Sequence, residues 1–533
     1  MAFRGRASRD VAGLLLLVLL LVAVGTLVLA AGRDPWDPDE TRYLQITREM
    51  LDRENPFLLT FDGEPYSDKP PLYFWAMAPL VAVLGPTSAL AGMLPALLAF
   101  LLLPVAVARL GRNLDLDVVT GRWGGFLAVT MFLPALVAGG CRMDLPFTLL
   151  IVLALAELGR LANHRTRTAL PFWVLTGLAV LTKGPLAIIL PLLAAAPLLR
   201  DHRLRRRLFS LRSVAAGVAV VAVWLVPAAI AGGREWFMDA VVHQSAGRAV
   251  ASFAHREPWW YHLGTVPLGL IPWSFAVLAA LTRLATQRHA LAGAGRLLLH
   301  FPVATILLLS AISGKTLLYP LPLYPVVALA AAWWILDDPG APSRRLVLGL
   351  AGALGLLLAA GHLLVLAPHR DLALEGFARW APAIGMAIPS LAALALAGAG
   401  AGLAAARAAA LVVPLFIALV LPAIGPGMNR LLSLRPFAEA YLDLAPDEPK
   451  GYAYAKIQPG FILFTGRPFV RLDRPSQLWH AVDAGHAVAI EQKTFRRLPA
   501  HVRARLPVRA RVPYRHTEIL IVRSPAGPGT PGK

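Results

Sequence analysis

Apolar runs and short polar connections alternate along most of the chain. A helix needs about 20 apolar residues to cross the hydrocarbon layer of a membrane. Runs near that length lie around residues 12–31, 87–108, 123–139, 145–159, 213–231, 262–282, 298–313, 317–336, 345–367, 380–403 and 408–424. The stretch 170–199 is also apolar, but Lys183-Gly184-Pro185 interrupts it, which predicts two short helices that meet at this polar point. The pattern predicts a polytopic α-helical membrane protein with about 13 transmembrane helices.

The composition agrees with a membrane protein. Hydrophobic residues make up 57% of the 533 residues, charged residues make up 15%, and the mean hydropathy is +0.62. A soluble domain of this size could not bury so much apolar surface. The net charge of +20 could indicate a nucleic-acid partner, but basic residues of membrane proteins concentrate in cytoplasmic loops, so we expect no nucleic acid. Cys141 is the single cysteine, which excludes an intrachain disulfide.

Arginine residues mark one side of the predicted bundle. They are concentrated in alternate connections, which hold Arg109, Arg112, Arg122, Arg160, Arg165, Arg167, Arg200, Arg203, Arg205, Arg206, Arg207, Arg212, Arg283, Arg288, Arg296, Arg344, Arg345 and Arg407. The intervening connections hold fewer arginines and most of the acids, histidines and tryptophans of this part. Because cytoplasmic loops are rich in Lys and Arg, we expect a multi-pass membrane protein with a cytoplasmic N-terminus. The first run is too long for a cleaved signal and predicts a retained signal anchor.

The composition changes near residue 430. Short β-like runs (Ala453–Lys456, Phe469–Leu472, Ala487–Glu491, Glu518–Val522) then alternate with helix-like pieces such as Pro475–Ala484. An odd number of spans places this tail outside the cytoplasm. We therefore expect a transmembrane domain over residues 1–430, with extracytoplasmic loops 32–71 and 232–261, and a small C-terminal α/β domain over residues 435–533.

The loop 32–71 contains an acidic motif, Asp37-Pro38-Asp39-Glu40. It predicts the capped start of a helix over Glu40–Arg53 that lies on the membrane surface. The acids could serve only as helix caps. Three carboxylates exceed that need, however, and a carboxylate at a membrane interface can act as a general base or hold a cation. Asp39 and Glu40 are therefore candidate functional residues.

A second motif in this loop is Tyr66-Ser67-Asp68-Lys69-Pro70-Pro71. The two prolines prevent a helix from starting earlier and hold Asp68 and Lys69 on a rigid turn at the bilayer surface. The two side chains could form a simple salt bridge. A lysine at the depth of the lipid headgroups is also suited to binding a lipid phosphate.

Several further polar residues fall at outer ends of the predicted spans. They are Arg142, Asp144, Lys183, Lys315 and Tyr319. Each one alone could be an interfacial anchor. Lys69, Lys183 and Lys315, however, are nearly the only lysines of the membrane half, and they lie on the side that is usually poor in lysine. This placement predicts an anionic ligand at the outer face.

The loop 232–261 adds His243 and Arg248, followed by the aromatic cluster Trp259-Trp260-Tyr261. Such a cluster is typical of the membrane interface. His243 and Asp68 could share a divalent metal ion, although two ligands are weak evidence for a metal site.

The motifs together resemble those of bacterial GT-C glycosyltransferases of the aminoarabinose (4-amino-4-deoxy-L-arabinose) transferase type, which are related to protein O-mannosyltransferases. The motifs are D-E-x-R-Y (39–43), Y-x-[DE]-K-P-P-L-x-x-W (66–75), R-x-D (142–144), L-T-K-G-P (181–185), H-R-E-P-W-W-Y-H (255–262) and G-K-x-L-x-Y (314–319). The lysine turn combined with L-T-K-G-P is fairly specific. The later part of the chain is similar in architecture only.

The resemblance implies a function and a role for each matching residue. Such enzymes transfer a sugar, a pentose such as aminoarabinose or a hexose, from a polyprenyl phosphate donor to a glycolipid or glycan acceptor such as lipid A. Asp39 and Asp144 would be catalytic carboxylates, and Lys69, Lys183 and Arg248 would bind the donor phosphate. Tyr66, Tyr319, Lys315 and Glu40 would line the substrate cavity. The family usually has Glu where this chain has Asp68, which shortens the reach toward a metal ion.

The chemistry of the residues agrees with such a transfer. The sequence holds no Rossmann or P-loop motif for a nucleotide sugar, whereas a lipid-linked donor carries its own phosphate leaving group. Fixed cations can stabilise the charge that develops on that phosphate. Two alternatives remain: a lipid or sugar transporter (flippase), because polar residues in membrane helices often mark a substrate path, and a non-catalytic scaffold. The collection of charges at one face, and not in the middle of the bilayer, favours the transferase.

Overall fold

The computed structural model describes residues 2–241, 257–287, 293–369, 372 and 374–524. In these residues, seven helices are long and apolar enough to cross a membrane. They lie within Val11–Ala31, Ala89–Asn113, Asp144–Ala162, His202–Val241, Pro342–Leu366, Gly376–Gly398 and Gly402–Leu444. A bent pair, Tyr261–Gly269 with Ser274–Thr286, would make an eighth span. The protein is therefore a multi-pass membrane protein, as predicted.

The helices of the first half of the chain are numbered in chain order. They are α1 (Ala2–Ala31), α2 (Asp39–Asp52), α3 (Leu72–Leu84), α4 (Ala89–Asn113), α5 (Val118–Val129), α6 (Phe132–Val137), α7 (Asp144–Ala162), α8 (Leu170–Lys183), α9 (Leu186–Ala195), α10 (His202–Leu208) and α11 (Leu211–Met238). A short hairpin, β1 (Thr60–Phe61) with β2 (Glu64–Pro65), lies between α2 and α3.

The second half continues with thirteen further α-helices among the described residues. They are α12 (Tyr261–Gly269), α13 (Ser274–Thr286), α14 (Leu297–Ala311), α15 (Tyr324–Asp337), α16 (Pro342–Gly361), α17 (Gly376–Gly398), α18 (Gly402–Ala410), α19 (Val412–Leu432), α20 (Arg435–Leu444), α21 (Pro459–Thr465), α22 (Pro475–Asp483), α23 (Gln492–Arg497) and α24 (Ala500–Arg503). The apolar faces of α1, α4, α5, α7 and α15 pack into one continuous core.

Two predicted spans are broken in the structure. The run 123–139 forms α5 and α6, with a break at Thr130, where the indole nitrogen of Trp273 donates a hydrogen bond to the Thr130 hydroxyl over 2.9 Å. The run 262–282 forms α12 and α13, which are bent by 117°. Pro272 lies in this break, and a proline disfavours the helical conformation of the residue before it. Each of these runs therefore forms two helices where one continuous helix was predicted.

The break predicted at Lys183-Gly184-Pro185 is confirmed, because α8 ends at Lys183 and α9 begins at Leu186. Gly184 has a φ of +82°, a left-handed conformation that glycine adopts without strain. The apolar helix α3 was not counted among the predicted spans, and the last predicted span, 408–424, forms α19, which extends to Leu432.

The helix predicted over Glu40–Arg53 is observed as α2, Asp39–Asp52, and eight of its fourteen residues are buried; its position on the membrane surface stays a prediction. The N-cap residue is Pro38, and no side chain caps the helix there. The acids Asp39 and Glu40 lie in the first turn, as predicted, but the prediction of a side-chain cap from the acidic motif is wrong. The Asp37 carboxylate instead accepts a hydrogen bond from the Thr41 hydroxyl, at 2.8 Å.

Residues 451–522 form a five-stranded mixed sheet. Its strands are β3 (Gly451–Tyr454), β4 (Phe469–Leu472), β5 (Val488–Glu491), β6 (Val508–Tyr514) and β7 (Thr517–Val522), in the order β4-β3-β5-β7-β6. β3 pairs in parallel with β4 and β5, whereas β7 pairs antiparallel with β5 and β6. Four strands were predicted, and β6 was missed. Its arginines and Pro513 hide the pattern, and proline is tolerated because β6 is an edge strand.

Candidate functional site

The first turn of α2 presents Asp39 and Tyr43 on one helix face, because residues four positions apart are neighbours on a helix. The Asp39 carboxylate accepts a hydrogen bond from the Arg142 guanidinium, with 2.5 Å between nitrogen and oxygen. The Asp39 side chain keeps 33% of its surface exposed, and that of Arg142 keeps 39%. The carboxylate is therefore held by a charge and is still accessible to a ligand.

A second ion pair joins Asp144 and Lys183. Asp144 is the first residue of α7, where a negative charge is favoured by the helix dipole, and Lys183 is the last residue of α8. The Lys183 ammonium donates to the Asp144 carboxylate, and both side chains are almost fully buried. The same ammonium lies 5.2 Å from the ring centroid of Tyr319 and 5.5 Å from that of Phe147.

Tyr43 lies within electrostatic range of one carboxylate from each ion pair, Asp39 and Asp144. Burial raises the pKa of the Tyr43 phenol, and the charges of Asp39 and Asp144 raise it further. Burial alone would lower the pKa of Arg142, but Asp39 and Asp144 raise it overall. The carboxylates of Asp39 and Asp144 thus both lie within electrostatic range of Tyr43 and Arg142. The structure brings together Asp39, Asp144 and Lys183, with Tyr319 beside Lys183.

The predicted cavity residue Glu40 is placed differently. Its carboxylate is buried and accepts two hydrogen bonds from Arg33, at 2.5 and 2.9 Å. The backbone amides of Trp36 and Cys141 donate two more, at 2.9 and 3.0 Å. Burial raises the pKa of Glu40, but Arg33 and the hydrogen bonds outweigh it and lower the pKa below its usual value. This environment favours a structural role, in which Glu40 anchors α2 to the loop before α7.

Replacing Glu40 by Gln is expected to lower the thermal stability of the purified protein, because Arg33 would remain buried without its counter-charge. Breaking a buried ion pair in this way costs about 3–5 kcal/mol. Since the folded pKa lies below the usual 4.5, the stabilisation is complete above pH 4.5 and is lost as the pH falls through the folded pKa. Unfolding temperatures of wild type and variant, measured in detergent over this range, should converge only at acid pH. Exposed Glu439 provides the control, Glu439→Gln; an equal loss there would contradict the assignment.

The proline turn lies directly before α3, as predicted. Asp68 and Lys69 form a bend, and α3 begins at Leu72. The Tyr66 backbone amide donates to the Leu59 carbonyl at 2.8 Å, and its ring meets the Phe74 ring edge-on at 6.5 Å. Tyr66 also lies within electrostatic range of Tyr43. The turn therefore borders the same region as Asp39.

Lys315 is buried, with an exposed fraction of 4%. Its ammonium donates to the backbone carbonyls of Ile312, at 2.5 Å, and Glu257, at 3.2 Å. These contacts link the end of α14 to the segment before α12. They favour a structural role for Lys315. Tyr319, four residues later, lies beside the ammonium of Lys183.

Two predicted residues, Arg248 and His243, lie outside the described residues. The hypothesis that His243 and Asp68 share a metal ion therefore stays a prediction. In the part of the chain that the structure describes, no group of three or more His, Cys, Asp or Glu side chains could hold a metal ion.

Two residues with a central position were not among the predicted site residues. Arg142 was noted only as an outer polar position, and Tyr43 only as part of a motif. The signal for Arg142 was its spacing of two residues from Asp144, and that for Tyr43 was its spacing of four residues from Asp39. Tyr43 lies one turn after Asp39 on α2, and Arg142 lies two residues before the start of α7 at Asp144.

Comparisons with known proteins show which proteins this chain resembles. The family of dolichyl-phosphate-mannose-protein mannosyltransferases matches residues 68–230. The undecaprenyl phosphate-alpha-4-amino-4-deoxy-L-arabinose arabinosyl transferase of Pectobacterium atrosepticum is 29% identical over 380 residues, which are 66% of this chain and 66% of that protein. The corresponding transferase 1 of Pseudomonas fluorescens is 32% identical over 368 residues, 64% of each chain. The chain thus aligns with just under two thirds of the length of these relatives.

Among solved structures, the crystal structure of ArnT from Cupriavidus metallidurans bound to undecaprenyl phosphate has a TM-score of 0.74. The match covers 97% of this chain and 99% of that chain, at 18% identity. The apo structure of the same ArnT gives a TM-score of 0.72. The helical architecture is therefore the GT-C fold of membrane glycosyltransferases. Within this class, the resemblance to the aminoarabinose transferase type that the motifs indicate is confirmed.

Proposed function

We propose that the protein is a membrane glycosyltransferase that transfers a sugar from a polyprenyl phosphate donor to an acceptor outside the cytoplasm. The observation that carries the proposal is the pair of adjacent ion pairs, Asp39 with Arg142 and Asp144 with Lys183, around Tyr43. The pairing supplies carboxylates for the acceptor and cations for a phosphate in one place.

The reaction follows from these groups. An acceptor oxygen attacks the anomeric carbon of the sugar, and the bond between that carbon and the phosphate oxygen breaks. The leaving polyprenyl phosphate takes the electron pair, and Lys69, Lys183 and Arg248 stabilise its negative charge. Asp39 accepts the proton of an acceptor hydroxyl, or it orients an acceptor phosphate that needs no base. Asp144, the second predicted catalytic carboxylate, pairs with Lys183 and acts through its charge on Arg142, the partner of Asp39.

A lipid-linked donor also requires a place for its chain. Helices α12, α13 and α14 line an apolar cavity of about 600 Å³, together with Leu323 and Val327. His262 stands at its wall, within electrostatic range of Lys315. A hydrocarbon chain is the ligand that such a lining suits, which supports a polyprenyl donor over a water-soluble one.

The substrates are proposed from the relatives, whose names include undecaprenyl phosphate and aminoarabinose. By this likeness the sugar is a pentose such as aminoarabinose, with a hexose as the alternative. The acceptor is lipid A or another glycan of the cell envelope. We further propose about 13 spans in the inner membrane, a cytoplasmic N-terminus, and an extracytoplasmic C-terminal domain over residues 435–533. The arginine pattern supports this orientation.

The test combines the purified full-length protein with a radiolabelled polyprenyl-phosphate sugar and a lipid extract from the bacterial envelope. We expect label to move from the donor to a slower-migrating glycolipid in thin-layer chromatography, and only when the protein and the extract are both present. Adding unlabelled polyprenyl phosphate should inhibit the transfer, because it occupies the donor site.

The same protein in sealed vesicles tests the transporter alternative. Movement of the labelled lipid across the bilayer without any transfer to acceptor would overturn the proposal and favour a flippase. Transfer that needs no lipid extract and ends in free sugar would indicate a hydrolase.

A further inference from the structure

Asp37 is a buried carboxylate that the proposed reaction does not use. It lies two residues before Asp39, and only 4% of its surface is exposed. One carboxylate oxygen accepts hydrogen bonds from the Thr41 hydroxyl, at 2.8 Å, and from the Gly460 backbone amide, at 2.9 Å. The other accepts a hydrogen bond from the Tyr514 hydroxyl, at 2.9 Å. Asp37 thus connects α2 with α21 and β6.

The backbone around Asp37 is held by the same region of the chain. The Asp37 amide donates to the Leu432 carbonyl at 3.2 Å, and the Arg515 guanidinium donates to the Asp37 carbonyl at 3.3 Å. Arg515 in turn donates its amide to the Leu431 carbonyl at 2.7 Å. The end of the sheet, the end of α19 and the start of α2 therefore form one hydrogen-bonded junction.

The junction leaves Asp39 between two anchored carboxylates. Asp37 is fixed by Tyr514 and Gly460 on one side, and Glu40 is fixed by Arg33 on the other. Burial raises the pKa of Asp37 above its usual value, and the hydrogen bonds only partly oppose this change. Burying a carboxylate this deeply costs free energy unless its hydrogen-bond partners are all present. The junction is therefore stable in one well-defined geometry.

We propose that Asp37 is a positioning residue, through which the C-terminal sheet fixes the place of Asp39 relative to the donor. The proposal rests on the proposed function, because it assigns the C-terminal region a task in the same reaction. A displacement of about 1 Å at a reacting group can cost about 100-fold in rate, so the loss of one anchor should be measurable in turnover. The C-terminal region would then be part of the catalytic unit and not a separate binding module.

Two tyrosine substitutions give a matched test. Tyr514→Phe removes one buried hydroxyl that binds Asp37. Tyr441→Phe removes another buried hydroxyl, which donates to the Ala487 carbonyl at 2.7 Å and accepts from the Tyr452 amide at 3.1 Å, neither of which belongs to the first loop. Each change removes buried hydrogen bonds, so the unfolding temperatures should fall in both variants.

The full-length variants are assayed over a range of donor concentrations, which gives kcat and the donor KM. We expect Tyr514→Phe to lower kcat at least about tenfold with little change in the donor KM, and Tyr441→Phe to keep the wild-type kcat. Asp37→Asn, which retains two acceptor bonds, should keep more activity than Asp37→Ala. Equal kcat values for the two tyrosine variants, or a wild-type kcat for Asp37→Ala, would overturn the proposal.

Hydrogen exchange of the same full-length proteins separates this inference from the proposed function, because it needs no turnover. Amides of residues 39–46 should exchange faster in Tyr514→Phe than in wild type and remain protected in Tyr441→Phe. Unchanged protection in Tyr514→Phe would overturn the positioning role. A wild-type protein that shows no sugar transfer but the expected exchange pattern would overturn the proposed function alone.

Discussion

Replacing Asp39 by Asn is expected to lower kcat for sugar transfer by at least about 100-fold, while the protein stays folded and still binds the donor. An amide cannot accept the proton of an acceptor hydroxyl, and general base catalysis contributes about 10²–10⁴-fold to such a rate. The Asn side chain keeps the shape of Asp39, so its contact with Arg142 is weakened but not removed. The measurement is initial transfer rate at saturating donor, with donor binding determined separately.

Asp52 offers the matched control at the other end of α2. Its side chain is 64% exposed and makes only a surface pair with Arg48, at 3.4 Å. Asp52→Asn should leave both kcat and the unfolding temperature at the wild-type values, because exposed ion pairs contribute little. A kcat of Asp39→Asn within about threefold of the Asp52→Asn value would refute the catalytic assignment of Asp39.

Replacing Lys183 by Gln is expected to weaken binding of polyprenyl phosphate at least about 30-fold. The charge pair at issue is the one between the Lys183 ammonium and the bound phosphate. Removing one partner of a buried pair across a binding interface costs 2–5 kcal/mol or more, and about 1.4 kcal/mol corresponds to a factor of ten in affinity. Equilibrium binding of undecaprenyl phosphate to the detergent-solubilised protein measures this effect without turnover. Exposed Lys456 provides the control, because Lys456→Gln should bind as wild type does.

The ion pair with Asp144 allows a second explanation, in which Lys183 only neutralises a buried carboxylate. The double variant Lys183→Gln/Asp144→Asn distinguishes the two. If Lys183 contacts the phosphate, removing the carboxylate charge as well should leave binding weak. If it only neutralises Asp144, the double variant should bind the donor nearly as tightly as wild type, and the phosphate assignment of Lys183 would be wrong.

Much of the architecture was predictable because the bilayer imposes strong patterns. Apolar runs gave most helices within a few residues, and the polar interruption after Lys183 correctly predicted the break between α8 and α9. The breaks at Thr130 and at Pro272 were missed, since hydrophobicity alone does not distinguish a straight helix from two helices that meet at an angle. Strand β6 was missed because its exposed arginines obscure the alternation.

The candidate site was predictable only in part. Motif spacing pointed to Asp39, Asp144 and Lys183, and the structure places them together. The chemistry of the motif does not separate Asp39 from Asp37 and Glu40, because all three are acids, and only the family resemblance singled out Asp39. Their roles differ through partners that are far away in the chain, such as Tyr514 for Asp37 and Cys141 for Glu40. Such partners become visible only when the chain is folded.

The junction at Asp37 also affects the order in which the molecule can be completed. Asp37 and Tyr514 are separated by 477 positions, so the first loop emerges long before its partner exists. At about 5–20 residues per second, synthesis of the intervening chain takes on the order of half a minute to a minute and a half. During that time the first turn of α2 lacks its Tyr514 and Gly460 contacts. A polypeptide released early would therefore contain every motif of the membrane part and still lack the hydrogen bonds that hold the first loop at Asp37.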